Sequence, residues 1–454
     1  MEVFGSSGTR GVANETLTPE FVVRVAKAAG TTWGADRVAL GRDTRETGPM
    51  LTDAAASGLT SIGADVDRLG VLPTPALQAH SEAEGVPGLM VTASHNPAPY
   101  NGIKLVGPDG IELAVDAMER VEDTFLAERF EPVGWDGVGR SQQLDGARQR
   151  YREGLRASVD GAAIEAADLT VAVDPGHGAG ALTSPDFFRE LGCRVVTVHA
   201  QADGRFPGRN PEPVEANLKD LTTLVRAADA DLGIAHDGDA DRAIFVDETG
   251  DYIEGDAALA VLAADCLTAG DATVSAVNVS QRLVDVVDDV GAELELTPIG
   301  STRIVTRVQQ LLAAGERGPI AGEGNGGIIF PDYRLARDGA YTAARFLERC
   351  IDRPASELIA EHTGYHNVRY NLEYDTEAER RALVRTAEGY ARNADADLTT
   401  IDGHRLDYGD AWVLARPSGT EPLVRIYAEA RDRDRAQALA DDIRTALLGA
   451  IEEP

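Results

Sequence analysis

Leu232-Gly-Ile-Ala-His-Asp-Gly-Asp-Ala-Asp-Arg-Ala-Ile-Phe-Val246 is the stretch from which the architecture can be read. Two short apolar runs, LGIAH and AIFVD, flank a turn that carries Asp237, Asp239 and Asp241. Runs of that length between turn residues read as strands. Carboxylates at i, i+2 and i+4 on one turn can fold around a hard divalent cation. Glu248 stands at the twelfth position from Asp237, as in an EF-hand loop. That reading fails, because the sixth position is Arg242 where glycine is needed and the flanks are strands instead of helices. Three carboxylates alone suit Mg²⁺, which keeps open positions for a phosphate oxygen. A solvated acidic turn is the alternative.

Working outward, strands and helices alternate. Upstream, Leu169–Asp174 (LTVAVD) is a strand, followed by a glycine-rich turn, a helix around Pro185–Leu191 and the strand CRVVTVH. Nearer the N-terminus, Glu20–Gly30 and Thr52–Gly63 have helical spacing, and Arg37–Gly41, Asp65–Leu69 and Val86–Thr92 read as strands. Downstream the rhythm restarts at Asp256–Leu267, with TVSAVNVS as a strand and a helix near Arg303–Ala314. Such alternation argues for βαβ units and mostly parallel sheets. From about Tyr365 the style changes to α+β: HNVRYNLEY, a helix through Glu377–Asn393, the strands WVLARPS and VRIYAEA, and a last helix from about Asp434. The expected domains are 1–147, 148–246, 247–362 and 363–454, with the polar segment 135–145 as a linker. A length of 454 residues fits three or four domains.

The chain holds 43 basic and 75 acidic residues, a formal charge of −32. Among the basic residues, forty are arginines and three are lysines: Lys27, Lys104 and Lys219. An acidic, lysine-poor chain looks adapted to molar salt, where a Debye length of about 3 Å screens self-repulsion. An ordinary acidic protein is the alternative. Nucleic-acid binding is disfavoured, since it needs a basic stripe. There is no long apolar run and no signal-peptide pattern, so no membrane span or secretion is expected, and the expected location is the cytoplasm. Cys193, Cys266 and Cys350 lack CxxC spacing and read as buried thiols.

Further stretches carry chemistry. Thr92-Ala93-Ser94-His95-Asn96-Pro97 follows a strand, at the end where α/β sheets place ligands. Ser94 there reads as a nucleophile or phosphate carrier, or as a helix N-cap. No GxSxG elbow is present. Lys104, one of three lysines, suggests proton transfer with a lowered pKa, or else a plain surface position. Arg416-Pro-Ser418-Gly419-Thr420-Glu-Pro422, with Arg425 behind it, reads as a phosphate nest or a hairpin loop. Phe4–Gly11 is a glycine–hydroxyl loop ending near Arg10, or a frayed terminus. Gly322–Gly327 offers Glu323 and Asn325, an acceptor and a donor suited to sugar hydroxyls, or a solvated turn. Gly176, Gly178 and Gly180 form a tight turn. No acidic residue ends the next strand, so a dinucleotide site is not read, and His177 reads as structural.

Taken in order, TASHNP, DGDADR and RPSGTEP resemble the α-D-phosphohexomutases, the family of phosphoglucomutases, phosphomannomutases and phosphoglucosamine mutases. The resemblance spans Phe4 to Arg425. It implies three similar α/β units with mixed sheets and a smaller α+β, TBP-like fourth, around a central cleft. It implies that Ser94 is the phosphorylated serine, and that Asp237, Asp239, Asp241 and a phosphoserine oxygen hold one Mg²⁺. The resemblance also implies that Arg242 lies near the phosphoserine. Arg10, His95 and Lys104 lie near the transferring phosphoryl group, with His95 and Lys104 candidates for proton movement. By the same resemblance, Glu323 and Asn325 are expected to read the sugar, and Arg416, Ser418, Gly419, Thr420 and Arg425 to grip the other phosphate. The implied activity interconverts hexose 1- and 6-phosphates of glucosamine, mannose or glucose through a 1,6-bisphosphate; a Mg²⁺-dependent sugar-phosphate phosphatase is the alternative. The implied partners are small sugar phosphates, with the chain a monomer or dimer. Many bacterial relatives end the sugar loop in Ser-Gly-His. Here it reads Asn325-Gly326-Gly327, as in archaeal members, so that histidine is absent from its place.

Overall fold

The computed structural model describes residues 3–5, 8–418 and 422–452. Its first sheet has six strands in the order 9–12, 100–106, 88–91, 37–42, 65–71 and 141–143. The strands at 37–42, 65–71, 88–91 and 141–143 run parallel to one another, and those at 9–12 and 100–106 run antiparallel to their neighbours. The segment 135–145 is therefore more than a linker: Ser141–Gln143 pairs with Val66–Arg68 and extends the sheet edge.

The second sheet has five strands, 252–253, 244–246, 232–235, 170–174 and 194–197, again mixed. Its edge strand Tyr252–Ile253 carries the sheet past residue 246. The third sheet orders 293–297, 272–276, 321–323, 327–330 and 334–337. The fourth, 366–373, 423–430, 411–417, 404–407 and 397–399, is antiparallel throughout.

Local sequence explains the helix boundaries. Helix Pro19–Trp33 starts where the Thr18 side chain accepts the Phe21 N–H and Pro19 fills the first turn, a cap worth about 1 kcal/mol. It ends at Gly34, whose φ of 59° is left-handed. Thr376 caps Glu377–Asn393 in the same way, and Asp338 caps Gly339–Arg349 through two backbone N–H groups.

The second and third units share one core. Helix Gly255–Cys266 is buried along most of its length, and Phe245 stacks on Phe346 at 4.3 Å. Leu72, Ala76 and Leu77 of the first unit join the same cluster. The fourth unit has its own core of Leu383, Leu406, Val424, Ile426, Ile443 and neighbours. It docks on the third through Val277, Trp412 and Leu414. Arg405 covers the Trp412 ring at 4.2 Å and donates to the carbonyls of Val277 and Val279. Cys193 and Cys350 are buried free thiols, as expected; Cys266, at the end of its helix, is only half-buried. Among the described residues, no helix is long and apolar enough to cross a membrane.

Candidate active site

The buried strand Gly88–Val91 delivers Thr92 to Asn96 at its C-terminal end. Ser94 takes a φ of 51°, a left-handed conformation that costs a non-glycine residue about 1–3 kcal/mol. Its surroundings enforce it. Ser94 N–H donates to Thr92 Oγ1 at 2.9 Å, and that hydroxyl donates to Asp43 Oδ2 at 2.7 Å. The fully buried Arg45 gathers the carbonyls of Ser94, Asn96, Pro97 and Tyr100 at 2.6–2.9 Å, while its Nε binds Asp43.

This arrangement aims the serine at the aspartate turn. Ser94 Oγ donates to Asp237 Oδ2 at 2.6 Å, and His95 Nδ1 lies 3.4 Å from the same hydroxyl. The turn is held from behind. Arg209 donates to the His236 carbonyl at 2.7 Å, and His236 Nδ1 bonds the Arg242 carbonyl at 2.8 Å. Ala179 N–H donates to the Gly238 carbonyl. A Cβ on Gly178 would sit 2.5 Å from that same oxygen, so the glycine turn serves as close packing for the acidic one. Thr74 donates to Asp239 from both its backbone and its hydroxyl.

Asp237, Asp239 and Asp241 are fully buried, with oxygens within 4.8 Å of one another. Burial pushes Asp237 up, and Asp241 and Asp239 push it further. Burial also works against charge on Asp241, but Arg337, Lys104 and Arg242 outweigh it and hold that carboxyl low. Asp239 Oδ1 and Asp241 Oδ1 are buried with no hydrogen-bond partner among the described residues. Three buried carboxylates, two of them with an open oxygen, call for positive charge, so these residues fit a hard divalent cation.

Lys104 departs from expectation. Its Nζ binds Asp239 Oδ2 at 2.7 Å and Asp241 Oδ2 at 2.6 Å. Burial opposes its charge, but the two aspartates prevail and raise its pKa. The lysine is therefore a firm cation, without the lowered pKa read from its rarity. His95 goes the other way: burial, then Arg242 and Arg10, hold it well below the usual histidine value, so it is neutral at pH 7. Arg10 Nη1 donates to Asn96 Oδ1 at 2.8 Å, and Arg242 Nε lies 3.8 Å from Asp237.

In the loop expected to read the sugar, Glu323 accepts from Gly300 N–H and from Asn325 Nδ2, and Asn325 Oδ1 accepts from Gly327 N–H. Beneath the loop, Arg337 binds Asp241 at 2.7 Å and Glu112 at 3.3 Å. In the fourth unit Arg416 and Arg425 are direct cross-strand partners, and Ser418 N–H closes the hairpin onto Leu423. Gly419 and Thr420 lie outside the described residues, as do Ser6 and Ser7 of the N-terminal loop. Contacts run without a break from Arg416 through Asp402 and Ile299–Gly300 to Glu323.

Motif reading missed Asp43, Arg45, Thr74, Glu112, Arg209 and Arg337. Three of these had a local signal: Asp43 and Arg45 follow a strand in Gly-Arg-Asp-Thr-Arg, and Arg337 ends a strand just before a capped helix. The others come from distant segments.

Models of the phosphoglucomutase/phosphomannomutase family match along the chain. The alpha/beta/alpha domains I, II and III match residues 1–132, 149–250 and 254–365, and the C-terminal domain matches 371–446. A phosphoglucomutase/phosphomannomutase of Thermococcus kodakarensis is 41% identical over 448 residues, covering 96% of each chain. A phosphoglucosamine/phosphogalactosamine mutase of Sulfurisphaera tokodaii is 35% identical over 457 residues, covering 99% of each. The crystal structure of a phosphoglucomutase/phosphomannomutase family protein from Burkholderia thailandensis superposes with a TM-score of 0.84 at 29% identity, covering 99% of this chain and 98% of that one. The four matched domains and the full-length relatives agree with the four sheets: the chain belongs to the phosphoglucomutase/phosphomannomutase family.

Proposed function

We propose that this protein is a phosphohexomutase that moves a phosphoryl group between the 1- and 6-positions of a hexose phosphate by way of phospho-Ser94. The observation that carries the reading is the Ser94 hydroxyl, held at strained φ and hydrogen-bonded at 2.6 Å into a buried aspartate trio. The relatives bear the names of mutases, and a phosphatase would leave the Arg416–Arg425 pair without a task.

Phosphoryl transfer has a loose transition state, so positioning and charge neutralisation do most of the work. Asp237, Asp239, Asp241 and an oxygen on Ser94 would hold Mg²⁺, which supplies Lewis-acid neutralisation of phosphoryl charge. Lys104 and Arg242 add fixed positive charge beside the serine. A sugar hydroxyl attacks the phosphorus of phospho-Ser94, the P–Oγ bond breaks, and the hydroxyl proton passes to a base and from it to the departing Ser94 Oγ. Neutral His95 has the lone pair for it. The resulting 1,6-bisphosphate turns in the cleft and returns its other phosphate to Ser94. Either end suits the same clamp of Arg416, Ser418, Gly419, Thr420 and Arg425. Glu323 and Asn325 hold the sugar hydroxyls between them. The acidic, lysine-poor composition supports a cytoplasm rich in salt as its working medium.

The test follows glucose, mannose and glucosamine phosphates by phosphorus NMR in high salt with Mg²⁺ and a trace of the 1,6-bisphosphate. The parent accumulates the isomer. Ser94→Ala slows it by at least about 10³-fold, and stripping divalent cations stops it until Mg²⁺ returns. Release of inorganic phosphate without isomer, or a Ser94→Ala enzyme working at the parent rate, would overturn the proposal.

A further inference from the structure

Asp402 sits in the turn between strands Asp397–Thr399 and His404–Asp407 and is mostly buried. The turn is built to bring it against the end of strand Ala411–Pro417. Gly403 has a φ of 83°, and a Cβ there would lie 2.5 Å from both the Ala415 carbonyl and Arg416 Cβ. One oxygen of Asp402 does two things. Oδ2 pairs with Arg416 Nη2 at 3.1 Å within the fourth unit, and it accepts the N–H of Ile299 at 3.1 Å from the third. The next N–H along, Gly300, donates to Glu323 Oε1 at 3.3 Å. Arg416 Nε is buried and has no hydrogen-bond partner among the described residues. The guanidinium is thus anchored on the Asp402 carboxylate through one nitrogen, and its side chain is 13% exposed. Ile299 also packs its side chain on the Val277–Trp412–Leu414 cluster, so the loop that carries Gly300 rests on the fourth unit by polar and apolar contacts together.

We infer that Asp402 is a positioning residue that couples the phosphate clamp to the sugar-reading loop. The inference rests on the proposed roles of Arg416 and Glu323. Asp402 orients the Arg416 guanidinium toward the substrate's non-transferring phosphate. Through Ile299 and Gly300, the same carboxylate sets where Glu323 stands over the sugar. A phosphate seated in the clamp and a sugar seated in the loop therefore act on one shared anchor, and the two units grip the substrate together.

Three variants separate the functions of this carboxylate. Asp402→Asn keeps an acceptor for Ile299 N–H and loses the charge on Arg416. Asp402→Ala loses both, and Asp402→Glu keeps the charge. The readouts are kcat and KM for glucose 6-phosphate and mannose 6-phosphate, competitive inhibition by inorganic phosphate, and thermal melting. Asp402→Asn is expected to weaken inorganic phosphate about tenfold and raise both KM values alike, the size of one charge-assisted hydrogen bond, with kcat within about threefold. Asp402→Glu recovers phosphate inhibition to within about threefold of the parent. Asp402→Ala weakens phosphate as Asn does and also shifts the glucose-to-mannose ratio of kcat/KM by about fivefold or more, because Glu323 loses its anchor. Should the alanine variant fail to fold, Asp402→Ser reads the same contrast. Unchanged phosphate inhibition in Asp402→Asn overturns the orienting role, and an unchanged sugar ratio in Asp402→Ala overturns the coupling. A parent enzyme that interconverts neither sugar phosphate sinks the mutase reading itself, whereas a working parent with indifferent variants sinks only the role of Asp402.

Discussion

Replacing Arg45 with alanine tests how Ser94, the proposed phosphoryl carrier, is held. The guanidinium is fully buried, and every N–H it owns is used: one on Asp43 and four on the carbonyls of Ser94, Asn96, Pro97 and Tyr100. Removing it strands the Asp43 carboxylate. Burial already pushes that group up, and Arg45 with Thr92 pulls it down. Without Arg45 its least costly response is to take a proton, which at pH 7 costs an ordinary carboxyl about 4 kcal/mol. That figure caps the charge contribution. Water entering the vacated space rehydrates some of the carbonyls, and each one left dry costs about 1–3 kcal/mol. A net loss of about 4–6 kcal/mol follows, against a typical domain stability of about 5–15 kcal/mol. In a unit of this size that lowers its melting temperature by roughly 10–20 °C. The Ser94 φ of 51° loses its restraint, and a displacement near 1 Å at a reacting atom costs about 10²-fold in rate. Urea and thermal unfolding followed by circular dichroism give the first quantity; mutase turnover per folded molecule gives the second. Arg45→Lys keeps the charge but not the fork, and should fall between parent and alanine on both scales. An Arg45→Ala protein within about 1 kcal/mol of the parent, or one that is folded and turns over normally, would refute the reasoning.

Other outcomes follow from the same contacts. Gly178→Ala places a methyl against the Gly238 backbone, an overpacking of about 1–3 kcal/mol; it should shift the aspartate turn and raise the Mg²⁺ concentration that half-saturates thermal stabilisation about tenfold, and an unmoved midpoint contradicts this. His199 bonds Asp174 and Asp220 at 3.1 Å each, and the Asp174 bond, outweighing desolvation, raises its pKa. A raised histidine stabilises fully below its unfolded value of about 6.5, and that stability fades as pH rises through the folded value. The melting-temperature gap between parent and His199→Gln should therefore shrink on going from pH 6 to pH 9, and a constant gap rules out the linkage. With a charge of −32, the protein should lose activity and melt lower in 0.1 M than in 2 M potassium chloride, as the Debye length grows from about 2 to about 10 Å; equal stability in both counts against salt adaptation.

Where periodicity named an element it placed it well, because apolar spacing and caps are local properties: helix Glu377–Asn393 has the bounds read from sequence, and the others it named moved by a few residues, while helices such as Thr74–Glu84 and Gln281–Val290 went unread. It failed at Ser141–Gln143, where a short polar strand is defined only by its partner Val66–Arg68. Lys104 shows the limit in chemistry. Its rarity marked it as special, but the sign of its pKa shift depends on Asp239 and Asp241, more than 130 positions away.

By itself the sequence determined the alternation that makes α/β units, the serine, aspartate, glutamate–asparagine and arginine motifs, and the charge balance, since each is written in neighbouring residues. Tertiary structure alone decided that Ser94 meets Asp237, that Arg45 threads four carbonyls, that Arg337 lies against Asp241 and Glu112, and that Asp402 reaches both Arg416 and Ile299. These pairings join segments apart in sequence, some within one sheet and some across two, and the energy of a buried charge is set by whichever group the fold brings within about 3 Å, however far off it lies along the chain.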